Sequence, residues 1–389
     1  MHQTILVLDA AQRSALAAVR SLGIRGYEVI TADSSMSTLA GSSKYSRAHW
    51  VYPDPYITPA DFLAWATSVL PQGKIQMALP MTEVTSDLLV RHEHLWPDII
   101  LPFAPIDRID QLSNKSALMQ RAVQLGIPIP ATRHFTRAEE LLADIASLRY
   151  PLVLKPFRSR VMLGPRWLTT GVRIIHTPDE LRAALQTEAF ADHPFMVQAF
   201  IEGAGQGIFA LYDRGKPVAF FAHQRIRERP PWGGVSVLSE SRQPDPRTLS
   251  LAQRLLDDAQ WHGVAMVEFK VGVDGIPYLM EINTRFWGSL QLAIDAGVDF
   301  PSMLADLALD HPVQPPQLKA GLRLRWLLGD LDHLYLTLRS PRYSSAEKLR
   351  TVAALLKPDF SGRTRHEVNR MDDMQPAWQE LKTYFGIRR

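Results

Sequence analysis

The stretch from Gly263 to Ser289 constrains this chain more than any other. Two runs rich in β-branched and aromatic residues flank Asp274-Gly275, a dipeptide that favours a tight hairpin turn. A two-residue turn centred on that dipeptide places Glu268 directly opposite Glu281 on the neighbouring strand. The sequence therefore predicts two carboxylates on one face of a hairpin.

Two facing carboxylates repel each other unless a cation offsets their charge, because directly paired Cβ atoms are only about 4.5–5.5 Å apart. Strand alternation puts Asn283 on the same face, about 6.8 Å along the strand from Glu281. Carboxylate and amide oxygens suit Mg²⁺ that is bound together with substrate phosphates. The alternative is a solvated hairpin in which Lys270 neutralises one carboxylate.

The residues after the second strand carry a recognisable motif. The run Glu281-Ile-Asn283-x-Arg285-x-x-Gly288-Ser289 resembles the metal-binding signature of the ATP-grasp superfamily, usually Glu-Ile-Asn-Pro-Arg, and the carboxylate–amine (carbamoyl-phosphate-synthase-like) ligase branch in particular. Thr284 replaces the commoner proline, which changes backbone stiffness but removes no ligand. The resemblance implies ATP as the nucleotide, and Mg²⁺, with Mn²⁺ as the alternative ion, bound by Glu268, Glu281 and Asn283.

Length and composition indicate a globular protein of two or three domains. The chain has 389 residues, of which 46% are hydrophobic and 21% charged. The absence of cysteine excludes disulfides, thiol catalysis and Cys-ligated zinc. No apolar run approaches the roughly 18–20 residues that span a bilayer, and no charged leader precedes the first strand. We therefore expect a cytoplasmic protein.

The small net charge of +3 hides an asymmetry. From Gln317 to Arg389 there are 14 Lys and Arg against 8 Asp and Glu, a local +6, so the preceding chain carries −3. This distribution does not support a nucleic-acid partner for the whole chain. The segment from Leu322 to Leu338 predicts a helix that packs its leucines on the rest of the protein. The alternative is a peripheral contact with an anionic membrane or polymer.

The order of predicted elements indicates an α/β fold in three parts. Residues 1–110 open with a strand at 4–8, a helix at 10–22 and a strand at 27–32, which predicts a Rossmann-like domain. The turn after the first strand lacks Gly-x-Gly-x-x-Gly, which argues against NAD. The resemblance implies an ATP-grasp module of two α+β subdomains at 111–310, meeting near Gln198, and we expect a mostly helical extension at 311–389.

Three segments of the module have predicted conformations that bear on the site. Residues 157–171, which contain Arg, Gly and Pro, predict an irregular mobile loop. Runs at 207–212 and 217–222 predict a second hairpin after a turn-rich connector at 202–207. Residues 224–234 resemble the basic loop that follows this hairpin in the carboxylate–amine ligase branch.

Cations at element ends are candidates to bind the phosphates of ATP. Lys155 ends a predicted strand, and the resemblance matches it to a phosphate-contacting lysine and Lys115 to the lysine of the opening helix. We expect both lysines at element ends outside the core. The alternative for Lys155 is an ordinary solvated lysine at the surface. The resemblance also implies that 197–203 contacts adenine and ribose. The predicted ATP-binding residues are Lys115, Lys155, Gln198, Ala199, Phe200, Ile201 and Glu202, with Glu202 at the ribose.

Arg285 projects toward the face of Asn283 and is the candidate, with Lys155, for a catalytic role at the γ-phosphate and substrate carboxylate. Glu83 follows a predicted strand and either contacts substrate or begins a helix. Arg227 and Arg229 either contact substrate or are solvated. The histidines lack metal spacing, so His176, His223 and His262 are expected to be structural. The predicted substrate-binding residues are Arg225, Gly233, Gly234, Arg285 and Glu83.

The resemblance implies a ligase in which a carboxylate attacks ATP and an amine then displaces phosphate from an acylphosphate. The expected partners are an amine and a small-molecule or glycan-linked carboxylate. Two alternatives stay open. One is an ATP-grasp enzyme with a non-amine acceptor, such as a carboxylase or a kinase-like enzyme, and the other is a non-catalytic ATP-binding sensor.

Overall fold

The computed structural model describes residues 3–164, 166–357, 359 and 361–386, and it is an α/β protein as predicted. A parallel sheet of order β3-β2-β1-β4 organises the N-terminal part. Its elements are β1 (Thr4–Val7), α1 (Arg13–Arg25), β2 (Glu28–Asp33), β3 (Ser46–Val51), α2 (Pro59–Val69), β4 (Met77–Leu79), α3 (Glu83–Arg91) and α4 (Ile106–Ser113).

Helix α1 begins three residues later than predicted. Asp9 has a φ of 56°, so the chain turns at the end of β1 before the helix can start. The backbone N–H of Gln12 closes this turn onto the carbonyl of Asp9. As a result Arg13 is the first residue of α1, at the carboxyl-end edge of the parallel sheet.

The next part is a four-stranded sheet of order β5-β10-β6-β9, whose paired strands are antiparallel. The prediction of an irregular loop at 157–171 is wrong, because this segment contains an antiparallel hairpin in which Val161 pairs with Leu168. Residue 165 of that loop lies outside the described residues. The elements are α5 (Lys115–Gln124), β5 (Thr132–Phe135), α6 (Ala138–Leu142), β6 (Leu152–Pro156), β7 (Arg160–Leu163), β8 (Arg166–Thr169), β9 (Arg173–Ile175), α7 (Pro178–Leu185), α8 (Glu188–Ala191) and β10 (Phe195–Ala199).

A seven-stranded sheet of order β15-β14-β11-β12-β13-β16-β17 forms the largest layer. Its last two strands come from the C-terminal region, which the sequence did not predict. The elements are β11 (Gly203–Asp213), β12 (Lys216–Arg229), β13 (Val235–Arg242), α9 (Pro246–Asp258), β14 (Gly263–Gly272), β15 (Pro277–Asn283), α10 (Leu290–Asp295), α11 (Phe300–Ala308), β16 (Arg323–Arg325), α12 (Leu327–Arg339), α13 (Ser345–Leu356), β17 (Thr364–His366) and α14 (Gln375–Tyr384).

The second hairpin, β11-β12, is longer than predicted at both ends. The connector predicted at 202–207 belongs mostly to β11, which pairs with β14 from Gly203 onward. Residues 224–229 were predicted as a loop, but they continue β12 and pair with β13. The longer strands place Arg225 on the sheet, where its backbone is fixed by its neighbours.

Two apolar cores cover the two faces of the large sheet. On one face, α1 packs against α10 and α11, so the N-terminal part covers the sheet beside Phe286 and Trp287. On the other face, α9 and α5 pack around Phe269 and Trp261. Among the described residues no helix is long and apolar enough to cross a membrane.

The C-terminal region is tied to the N-terminal part by a segment that we name the C-terminal strap, residues 367–373. Arg20 donates to a carboxylate oxygen of Asp373 at 2.9 Å and to the backbone carbonyls of Glu367, Val368 and Asp373 at 2.9–3.0 Å. Ser43 donates to the same carboxylate at 2.7 Å. Asp373 is buried, so these bonds replace the water that it loses on folding.

Ion pairs also fix helix α12. Arg227 donates two bonds of 2.5–2.6 Å to the buried carboxylate of Asp330, and Arg325 donates a third at 2.6 Å. Arg229 pairs with Asp332 at 3.0 Å. The solvated alternative is therefore wrong for Arg227, whereas Arg229 is an exposed charge, as that alternative predicted, and pairs with Asp332 at the surface.

Candidate active site

The β14-β15 hairpin places Glu268 directly opposite Glu281, as predicted. The turn that produces this pairing differs from the prediction. Gly272 donates to the carbonyl of Ile276 across a three-residue loop, which alone would shift the register by one. A bulge beside Glu268 restores it, since Phe269 pairs with Leu279 and one residue of β15 is extra. The carboxylate pair therefore depends on the bulge as well as on the turn.

The two carboxylates are close to each other but not saturated with cations. Burial raises the pKa of Glu268, and the charge of Glu281 raises it further. Arg225 Nη2 lies 3.4 Å from Glu268, and Lys115 Nζ lies 3.5 Å from Glu281. Lys270, the cation expected in the solvated alternative, instead lies over the ring of Phe200 at 4.8 Å. Each carboxylate therefore has one ion pair with a described residue, and neither pair is shorter than 3.4 Å.

Asn283 completes an all-oxygen set of possible ligands. Its Nδ2 lies 3.3 Å from Glu268 Oε1, so the amide is beside the carboxylate pair. Within the described part of the chain, no group of three or more His, Cys, Asp or Glu side chains could hold a metal. The candidate centre here has two carboxylates and one amide, which fits a magnesium ion that takes its remaining ligands from phosphates and water.

Lys115 and Lys155 lie beside the carboxylate pair but are buried, with exposed fractions of 5% and 6%. The expectation that both lie outside the core is therefore wrong. Burial lowers the pKa of Lys155 to about 8, although the charges of Glu281 and Glu268 oppose this shift. Lys115 donates to Ser159 Oγ at 2.8 Å. Both lysines sit where the two β-sheets approach each other, and not on a solvated surface.

The segment from Gln198 to Glu202 connects β10 of the smaller sheet to β11 of the larger one. Gln198 is buried, and its Nε2 donates to Thr132 Oγ1 at 2.9 Å. Its Oε1 has no partner among the described residues. Ala199 and Glu202 are exposed, whereas Phe200 and Ile201 are half-buried. The segment therefore lies where the chain passes from one sheet to the other.

A cavity of about 320 Å³ opens next to the carboxylate pair. Its floor follows one row of the sheet, because His223 pairs with Gly207, Gly207 with Glu268, and Glu268 with Glu281. Gly207 has no side chain, and the side chains of Met266 and Phe209 lie above it, 3.1 and 3.2 Å from where a Cβ would be. The wall consists of Arg13, His223, Arg225, Gly234, Val235, Ser236, Met266, Glu268, Glu281, Asn283, Arg285, Trp287, Gly288 and Ser289.

The structure brings together most of the predicted substrate residues. Arg225, Gly234 and Arg285 line this cavity, whereas Gly233 is exposed and outside the lining that the described residues define. Glu83 is the first residue of α3 and lines a second, smaller cavity of about 30 Å³ with Lys115. Arg285 lines both cavities. The predicted residues thus form two adjoining groups around one carboxylate pair.

Comparisons with known proteins show what parts of the chain resemble. A family model described as ATP-grasp in the biosynthetic pathway with Ter operon matches residues 191–329. A curated relative, the arginine-specific carbamoyl phosphate synthase large chain of Geobacillus stearothermophilus, is 24% identical over 184 residues. That match covers 46% of this chain and 17% of the relative, so the chain spans about a sixth of the relative's length.

Solved structures share the fold at low sequence identity. Biotin carboxylase of Campylobacter jejuni, in a β-γ-ATP complex, superposes with a TM-score of 0.64 at 16% identity, covering 83% of this chain and 74% of that one. The L-amino acid ligase of Bacillus licheniformis gives a TM-score of 0.62 at 16% identity, covering 81% and 78%. Residues 191–329 are thus similar to an ATP-grasp family, and most of the chain is similar in fold to these two enzymes.

Three cavity residues with side-chain N–H groups were missed from the sequence: Arg13, His223 and Trp287. Arg13 follows the first strand of a doubly wound sheet, a place where ligands commonly bind, so its position was a usable signal. His223 was expected to be structural, yet its Nε2 is buried without a partner among the described residues. No spacing in the sequence could show that, because His223 meets the cavity through strand pairing.

Proposed function

We propose that this ATP-grasp protein is an ATP-dependent carboxylate–amine ligase that forms an amide through an acylphosphate and releases ADP and phosphate. The observation that carries the proposal is the directly opposed pair of Glu268 and Glu281, with Lys115, Lys155 and Arg285 around it. Such a cluster of cations and metal-ligand oxygens suits phosphoryl transfer, which depends on positioning and charge neutralisation.

Glu268, Glu281 and Asn283 fit a divalent metal, because two like charges face each other and the nearest cations are 3.4 and 3.5 Å away. Mg²⁺, or Mn²⁺ as the alternative, would be held by these three side chains. When bound, the ion neutralises phosphate charge and polarises the γ-phosphoryl group. The residues of the chain provide the rest of the environment.

Lys115 and Lys155 bind phosphate oxygens from their buried positions, and the 198–202 segment binds the adenosine. Arg285 orients the substrate carboxylate toward the γ-phosphorus. A carboxylate oxygen forms a bond to that phosphorus while the bond to the β–γ bridging oxygen breaks, so ADP leaves. The nitrogen of an amine then attacks the acyl carbon, the carbon–oxygen bond breaks, and phosphate leaves.

The product analysis tests this chemistry. The protein is incubated with Mg·ATP and a panel of amino acids and sugar acids, with and without amines, and nucleotide products are measured. We expect ADP and phosphate, and a carboxylate labelled with ¹⁸O should transfer one label into the phosphate. AMP and pyrophosphate would instead place the protein in an adenylating class and overturn the proposal.

A second acceptor class is favoured by one observation. Biotin carboxylase of Campylobacter jejuni matches the fold as well as the amino acid ligase does, with TM-scores of 0.64 and 0.62. A bicarbonate arm in the same assay separates the two classes. ADP release that needs bicarbonate and not an amine would favour a carboxylase, and ATP binding without any turnover would favour a sensor.

A further inference from the structure

The cavity beside the carboxylate pair has two chemically different ends. Glu268 and Glu281 occupy one end, and Arg13, His223, Trp287 and the Gly288 backbone line the other. Two strand spacings separate the rows of Glu268 and His223, a distance of roughly 10 Å. Arg225 lies between the ends but is engaged with Glu268 at 3.4 Å and Glu228 at 3.2 Å. The far end therefore presents nitrogen donors of its own.

Arg13 is fixed in a way that leaves one edge of its guanidinium at the cavity. Nη1 donates to the buried carboxylate of Glu367 in the C-terminal strap, and the guanidinium stacks over the ring of Trp326 at 3.9 Å. Nη2 is 3.5 Å from the place where a Cβ on Gly288 would lie. It has no hydrogen-bond partner within the described part of the chain, and the Arg13 side chain is only 15% exposed. The charge is pre-positioned rather than solvated.

Two neutral donors share that end and lack partners. His223 is 6% exposed, and Trp287 is 3% exposed. Among the described residues, neither His223 Nε2 nor Trp287 Nε1 has a hydrogen-bond partner. A buried polar group without a partner is destabilising, so two in one cavity point to a ligand that satisfies them.

The protonation of His223 makes it a donor at this position. Burial lowers the pKa of His223 to about 3, and the charge of Arg225 adds to this shift, so the imidazole is neutral. Ser289 Oγ lies 3.3 Å from Nδ1. We assign the serine hydroxyl as the donor, which places the ring proton on Nε2. His223 and Trp287, which line the cavity together with Arg13, then each carry one N–H without a partner among the described residues.

We propose that this end of the cavity binds a second oxyanion of the substrate acid, so that the substrate is a small dianion such as a dicarboxylate or a phosphorylated carboxylate. The assignment of the reacting group to the metal end rests on the proposed function, but the presence of the second anion site does not. Arg13 is the specificity residue, and Glu367 is a positioning residue that orients it.

Binding titrations on the full chain test the site without turnover. The probes are malonate, succinate, glutarate and adipate, each compared with its monoamide, and 3-phosphonopropionate separates phosphate-type from carboxylate-type recognition. We expect at least one diacid to bind about tenfold or more tightly than its monoamide, because a charge-assisted bond is lost in the amide. A preference for the phosphonate would assign the phosphorylated class.

Variants locate the site. Arg13→Gln should weaken the preferred dianion by about tenfold or more and leave its monoamide unchanged. Trp287→Phe, which keeps a ring but removes the N–H, should weaken the same probe several-fold, and it remains informative where Arg13→Gln does not fold. Arg25→Gln, at the other end of the same helix and 45% exposed, is the matched control and should change neither affinity.

The outcomes separate this proposal from the proposed function. Equal binding of every diacid and its monoamide, no binding of any probe at millimolar concentration, or equal weakening of both by Arg13→Gln would overturn the second anion site. The titrations are run with and without Mg²⁺ and a non-hydrolysable ATP analogue. Absence of nucleotide binding would count against the ligase while a diacid preference would still support the anion site.

Discussion

Two regions of the molecule hold buried or half-buried carboxylates, and they differ in how the negative charge is compensated. In the C-terminal strap, Asp373 accepts bonds from Arg20, Ser43 and the backbone of Lys44. In the β14-β15 hairpin, Glu268 faces another carboxylate, and the nearest cations are at 3.4 and 3.5 Å. A saturated charge indicates a structural role, whereas an unsaturated pair indicates a place for a ligand.

The largest expected effect is on the strap. Arg20→Ala should lower the free energy of unfolding by about 3–5 kcal/mol, because it leaves Asp373 buried without its cation. Urea denaturation measures this change, followed through tryptophan fluorescence. Arg25→Ala removes an ion pair that is 45% exposed on the arginine side and should cost about 0–1 kcal/mol. Equal stability of the two variants would show that the strap does not fasten the N-terminal part.

The Glu268–Glu281 pair should respond in the opposite way, with a loss of ATP turnover and not of stability. Glu281→Ala should reduce ATP turnover by at least about two orders of magnitude, or roughly 2.7 kcal/mol of barrier, since a metal ligand is lost. Its melting temperature should change little, because the relief of the repulsion with Glu268 offsets the loss of the ion pair with buried Lys115. Asp274→Asn removes a carboxylate from the same hairpin outside the site and is the control. Wild-type turnover in Glu281→Ala would refute the metal assignment.

The hairpin was predictable because its determinants are close in sequence. Alternation and the Asp274-Gly275 turn gave the correct facing pair, although the true loop has three residues and the bulge compensates. A bulge is set by how each strand packs on its neighbours, which local pattern does not show. The same limit explains why 224–229 was predicted as a loop, since its charged residues pair in β12 with partners from β13 and α12.

Remote contacts explain the rest of what the sequence did not reveal. Arg13 and Glu367 are 354 positions apart, and Arg20 and Asp373 are 353 apart. Nothing in the local pattern of either segment identifies its partner. Burial of Lys115 and Lys155 was missed for a related reason, because a lysine is solvated by default and only the approach of the two β-sheets removes its water.

A smaller effect concerns pH at the phosphate end of the site. The pKa of Lys155 is lowered to about 8 by burial, so the free protein loses this cation above that pH. ATP binding must then restore the proton, and the affinity should fall about tenfold between about pH 7 and pH 9. The unfolding free energy of the nucleotide-free protein should rise from about pH 8 to 10.5, since the unfolded lysine keeps its proton longer.

Calorimetry in buffers of different ionisation enthalpy measures the proton taken up with ATP. Lys155→Arg keeps a cation at all these pH values and should flatten the affinity profile. Lys216→Arg changes an exposed lysine at the start of β12 and serves as the matched control. A pH-independent wild-type affinity, or a profile that Lys155→Arg leaves unchanged, would contradict a phosphate-binding role for Lys155.

The smallest expected effect is on the basic C-terminal region, where Asp330 of α12 is paired with arginines as Asp373 is in the C-terminal strap. Arg323 is paired with Glu240 at 2.8 Å and Arg370 with Asp295 at 2.5 Å, so carboxylates outside the segment already neutralise part of its local +6. We expect weak co-sedimentation with anionic liposomes at low salt and none at about 0.15 M salt, where screening removes exposed charges. Lys348→Glu/Arg350→Glu on α13 should abolish the low-salt binding. Binding that persists at the higher salt and is lost in this double variant would instead support a membrane or polymer partner for the region.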